Sequence, residues 1–198
     1  MQTPPKPPTP SPPPEPPRDI PPTAEHAAKL VGWGGWLAFW IQLLAAAVLG
    51  VGVVVAVISR TLDQDERVIW VGLSLLFAIA SLITLLVSVY LGFRLTRLAR
   101  RLALPQKKPT PSPQTVIQQV TLALFVSTAG LAIGLLGTEI SALSLLAKTL
   151  SHPQGAALYS PESTLRVLDV LVILVNSGLA VAHFIGQILN YWLLRYKW

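Results

Sequence analysis

The chain has 198 residues, 52% of them hydrophobic and 12% charged, about half the charged share of an ordinary soluble domain. Its net charge of +6 sits almost entirely in one short loop and the helix end leading into it, so it does not describe a broad polyanion-binding surface. There is no cysteine and no methionine beyond Met1, which excludes disulfides, thiolate and thioether metal ligands and cysteine nucleophiles. A water-facing globule needs more surface charge than this; the composition is that of an integral membrane protein.

Twelve of the 18 prolines fall in the first 22 residues. Proline lacks an amide donor and fixes φ, so residues 1–24 read as a disordered or polyproline tail. It has no apolar h-region for a signal peptide. Its two acids, Glu15 and Asp19, match its two bases, Lys6 and Arg18, unlike a transit peptide. The remainder, 25–198, reads as one four-helix transmembrane domain. No charge occurs between Lys29 and Arg60, and the buried part of that stretch is placed near 37–57, with Trp33, Trp36 and Trp40 at the interface. The second span lies near 70–92, between Trp70 and Tyr90. The third lies near 117–140 and carries Glu139. The fourth lies near 168–192 and carries Asp169 and His183. None alternates as a barrel strand would. The expected fold is all-α, an integral membrane four-helix bundle with a proline-rich tail.

The loops set an orientation. Arg94, Arg97, Arg100, Arg101, Lys107 and Lys108 crowd the second connection, which has no acid. The tail, this connection and the C-terminus hold eleven Lys and Arg against four on the other side. Both termini are therefore expected in the cytoplasm, or the stroma of a plastid. Arg94, Arg97 and Arg101 share a helix face opposite Leu95, Leu98 and Leu102, a basic lipid-facing segment suited to anionic headgroups. With no aromatic interleaved beyond Phe93, nucleic acid is not the expected partner.

Polar groups in hydrocarbon are the candidate functional residues. In the fourth span Asp169, Asn176, His183 and Asn190 recur every seven residues, and Gln187 follows His183 by four. Seven residues make two turns with ~20° of drift, so these line one face. That face must meet other helices or a water-filled path. The third span offers Ser127, Gly130, Gly134, Gly137, Thr138 and Ser141 at three- and four-residue spacing, a surface on which another helix can lie close. The two spans are expected to pair antiparallel. Gln42 is the buried amide of the first span. Each group also has a plain packing role: Arg166 offers Asp169 an ion pair, Lys148 offers Glu139 one, and a backbone carbonyl or Ser127 suits His183. No nucleotide loop, hydrolase elbow or His-Glu-x-x-His pair occurs, so neither an enzyme nor a bound cofactor is expected.

Several stretches are familiar together. Gly35-Trp36-Leu37-Ala38-Phe39-Trp40-Ile41-Gln42-Leu43 opens the first span and Ala147-Lys148-Thr149-Leu150 closes the third. Tyr159-Ser160-Pro161 and Leu168-Asp169-Val170 begin the fourth, and Ala182-His183-Phe184-Ile185-Gly186 crosses its middle. Across roughly residues 25–195 the chain resembles the cyanobacterial and plastid family typified by the small inner-envelope translocon subunit also described as a plastid iron permease. The resemblance implies a transport-related role, either iron permeation or assistance to protein import. The tail favours a cyanobacterial-type protein.

Two functions therefore stand at this level. One is a divalent-metal permease acting as a homo-oligomer, with an ion path through Glu139, Asp169 and His183, whose oxygen and imidazole donors suit Fe²⁺. His183 lies ~21 Å along the helix from Asp169, so a full ligand shell would need sequential sites or symmetry-related copies. The other is a non-conducting accessory subunit of a larger membrane complex, in which the polar stripe is interhelical packing.

Overall fold

A computed structural model describes residues 22–62, 69–102, 112–151 and 167–195. Apart from Ser112, these residues are helical: α1 spans Pro22–Leu62, α2 Ile69–Leu102, α3 Pro113–Ser151 and α4 Val167–Arg195. Most of the proline-rich tail lies outside the described residues, as do Lys107, Lys108 and Arg166. α1 and α3 open on a proline at the first helical position, where its missing amide costs no helical hydrogen bond. Each helix contains an apolar stretch long enough to cross a membrane, from 29 residues in α4 to 37 in α3.

The helices stand as an up-and-down bundle, in which α1–α2, α2–α3 and α3–α4 pack along their lengths and α4 returns to α1. Its polarity distribution is inverted relative to a soluble bundle. Leu44, Val48, Val51, Leu76, Phe125 and Leu174 are exposed, whereas Gln42, Ser74, Ser81, Ser127, Asn176 and His183 are at most 2% exposed. Apolar side chains outside and polar ones inside is the arrangement that hydrocarbon imposes. The four-helix, membrane-spanning architecture expected from hydropathy is the one found.

Glycines set the close contacts between α1 and α2. A Cβ on Gly92 would stand 3.3 Å from the Phe39 backbone nitrogen, and one on Gly35 would stand 3.2 Å from Leu95 Cβ. The same registers bring exposed aromatic residues to one end of the bundle: Trp36 and Trp40 on α1, Tyr90 on α2, Tyr191 and Trp192 on α4. Trp33, Trp36 and Trp40 run edge-to-face at 6.5 and 6.2 Å. Trp70 is exposed at the opposite end. Such belts mark where an amphipathic ring meets the headgroups.

The core has two apolar clusters. One joins Ala46, Val53, Leu75, Leu85, Val175 and Leu179; the other joins Val31, Leu95, Val116, Val120 and Leu193. In α1, α2 and α4, the segments between these clusters hold Gln42, Ser88, His183 and Asn190, all buried.

Candidate functional site

The α4 stripe, the sequence's candidate site, faces inward. Asp169, Asn176, His183 and Asn190 are all buried. Its partners come from α2 and α3, and they are arranged with the same periodicity.

On α2, Ser74, Ser81 and Ser88 recur every seven residues and are buried. Asn176 Nδ2 donates to the Ser74 carbonyl at 3.2 Å and to its own-helix Val172 carbonyl at 3.0 Å. His183 Nε2 donates to the Ser81 carbonyl at 3.1 Å, with Thr84 Oγ1 3.2 Å away. Both interhelical rungs have the same sequence offset of 102, as expected when two parallel helices keep one register over two turns. That offset sets Asn190 opposite Ser88. Ser81 further donates its hydroxyl to the Gly130 carbonyl at 3.2 Å, so this one residue ties α2 to both α3 and α4. The serine heptad escaped the sequence reading. Its seven-residue spacing, matching that of the α4 stripe, was the available signal.

α3 supplies the room. The His183 ring lies against Gly130, and the Asn176 amide lies against Gly137; a Cβ at either glycine would overlap the side chain it faces. At Gly134 a Cβ would stand 3.1 Å from the Ala180 backbone nitrogen. The small-residue stripe is therefore the seat for the polar stripe, and α3 and α4 pair antiparallel as the sequence indicated. The relation is reversed on α1, where the Gln42 amide lies against Gly186 of α4, with Ser127 Oγ 3.2 Å from the Cβ position. At the edge of the seam Gln187 Nε2 donates to Thr128 Oγ1 at 3.3 Å.

The three ionisable residues of the third and fourth spans go to three different places. Lys148 Nζ binds both Asp169 oxygens, at 2.8 and 2.7 Å, and thereby closes one end of the α3–α4 pair. Lys148 thus serves Asp169 rather than Glu139. His183 is seated at mid-bundle on Gly130. Glu139 is exposed on the outer side of α3, and among the described residues no hydrogen bond or ion pair reaches it. Among the described residues no group of three or more His, Asp or Glu side chains converges to hold a metal ion. Buried atoms without a hydrogen-bond partner among these residues include His183 Nδ1, Ser127 Oγ, Ser88 Oγ and Asn176 Oδ1. With Nε2 donating to a carbonyl, Nδ1 of a neutral ring carries the free lone pair.

At the other end of α2, Arg94, Arg97, Arg100 and Arg101 are exposed, and the Arg97 guanidinium rests 4.7 Å from the centre of the Phe93 ring. The basic segment is an extension of α2 beyond the aromatic level, with Leu95 and Ala99 buried on its inner side.

Over residues 21–196 the chain matches the family described as a protein of unknown function (DUF3611), and it belongs to that family. No curated protein and no solved structure matches it.

Proposed function

We propose that this member of the family is a non-conducting membrane protein that works through its lipid-level surfaces, as an accessory or assembly subunit for other membrane proteins. The observation that carries this reading is the dispersal of Glu139, Asp169 and His183. One faces outward, one is held by Lys148, and one is seated between Gly130 and the Ser81 carbonyl. An ion path needs such groups in sequence along a hydrated route. Here the interior polar groups are used to hold helices together, at an average of ~0.6 kcal/mol for each interhelical hydrogen bond in a membrane protein. Neither catalysis nor a resident cofactor is part of this reading. Purification in a mild detergent tests it: a stable set of larger membrane partners is expected, and a bare particle containing this chain alone, recovered from its native membrane under every mild condition, would contradict it.

A second reading, the iron permease of the sequence resemblance, is favoured by one observation. Among the described residues His183 Nδ1 and Ser127 Oγ are buried near mid-span without hydrogen-bond partners, so donor capacity remains for a guest.

The orientation proposed for both readings follows the charge asymmetry, with the termini and the arginine-rich end of α2 in the cytoplasm, or the stroma of a plastid, against anionic headgroups. The proline tail favours a cyanobacterial-type membrane. Because the chain has no cysteine, single cysteines at Gln64 and Lys107 are expected to label from opposite sides of the membrane. Labelling of both from one side would overturn the orientation.

A further inference from the structure

The outward surface of the bundle is uneven in a way the interior does not explain. On α1 from Leu30 to Ile58, the one amide, Gln42, is buried and no charged or hydroxyl side chain occurs. On α2 from Ile69 to Val89, the serines are buried and Thr84 is half-buried with its hydroxyl donated to the Ser81 carbonyl. The outward groups at membrane depth belong instead to α3 and α4. Thr121, Thr128 and Glu139 are exposed on α3, and Gln187 reaches Thr128 from α4. Glu139 follows Thr128 by eleven residues, three turns, and so shares its face. Leu135, Leu136 and Leu143 surround it, 50%, 53% and 62% exposed. A carboxylate among outward-facing leucines is costly unless it is paired or reaches the headgroup level, so an opposite charge at the same depth stabilises it.

The chain carries a matching cation at the same depth on its other side. Arg60 is exposed, and its guanidinium lies against Gly72 of α2. Phe77 stands 3.0 Å from the Cβ position of Gly137, which fixes the antiparallel register of α2 and α3. By that register Gly72 is level with residue 142, within one turn of Glu139. The carboxylate belongs to the α3–α4 side and the guanidinium to the α1–α2 side. Copies sharing one membrane orientation share one depth, so lateral association presents one group to the other.

We propose that copies of this chain associate side by side in the membrane, the α3–α4 face of one against the α1–α2 face of the next, with Glu139 paired to Arg60 of the neighbouring copy. The contact is head-to-tail, and each copy uses two different surfaces, giving a closed ring or a row according to the rotation between neighbours. The inference rests on the reading that the protein acts through its membrane-level surfaces, and it names one of the partners as a second copy.

Charge reversal in the full-length chain, with two differently tagged forms co-expressed, is the test. The parent is expected to run as a particle several times the 21.4 kDa chain and to co-purify both tags. Glu139→Arg alone and Arg60→Glu alone are each expected to lose tenfold or more of the co-purified tag. Co-expressing the two variants with each other restores it, because every junction again joins opposite charges. Should either reversal impair folding, Glu139→Gln and Arg60→Gln carry the test, with the same loss expected at unchanged helical content. Singles that associate like the parent, or reversals that fail to rescue each other, overturn the pairing. So does efficient disulfide formation between copies of Thr128→Cys, which would place α3 against α3. Ion conduction by the assembled particles would defeat the non-conducting reading and leave this interface standing.

Discussion

Replacing Gly130 by leucine is expected to be the most damaging single substitution in the bundle. The His183 ring occupies the space that a side chain at Gly130 would need. The ring cannot retreat without giving up the Ser81 carbonyl, and the Ser81 hydroxyl is itself bound to the Gly130 carbonyl. The loss is expected at or above the upper end of the ~1–3 kcal/mol typical of overpacking, because hydrogen bonds and packing fail together. Equilibrium unfolding in mixed micelles measures it. A milder pair isolates the contact: Gly130→Ala and His183→Ala are each destabilising, and the double variant is less so than their sum, by about 1–2 kcal/mol. Additive losses would mean that the two residues do not meet.

Lys148→Met is expected to destabilise more than Asp169→Asn. Removing the lysine strands a carboxylate whose side chain is 8% exposed, whereas removing the carboxylate leaves an ammonium on a side chain 42% exposed. The first should cost about 2–3 kcal/mol, short of the ~3–5 kcal/mol of a fully buried pair because the lysine is half in solvent. The second should stay near ~1 kcal/mol, as for surface pairs. The combined Lys148→Met, Asp169→Leu chain is expected to recover most of the first loss, since no unpaired charge is then buried. Unfolding free energies for the three chains check the order; equal effects of the two singles would contradict it.

These effects show which parts of the site the sequence could disclose. The α4 stripe and the α3 glycines were legible because both are periodic and both are costly in hydrocarbon unless they meet. The α2 serines were not singled out, since a serine is small, only mildly polar and common among apolar residues. Their meaning lies in the shared seven-residue period and in the carbonyls beside them. Spacing alone puts Glu139 in the same span as the glycine stripe without saying which way it faces; it stands two residues, about 200° of helix, from Gly137. The face that packs against α4 therefore turns the carboxylate outward. The Lys148–Asp169 pair depends on the depth at which α3 ends relative to where α4 begins. Local spacing offers Lys148 to Glu139 on its own helix, and carries no information on the register that brings Lys148 to Asp169 of α4 instead.

The central claim is that the polar seam along α4 holds the bundle together rather than carrying ions through it. Fe²⁺ flux into proteoliposomes, measured for the parent and for His183→Ala, tests that most directly. The account predicts that the parent, reconstituted at its native oligomeric state, admits no more Fe²⁺ than empty vesicles, and that His183→Ala alters stability without altering flux. Fe²⁺ uptake by the parent that His183→Ala abolishes, in a variant still folded and assembled, would contradict it.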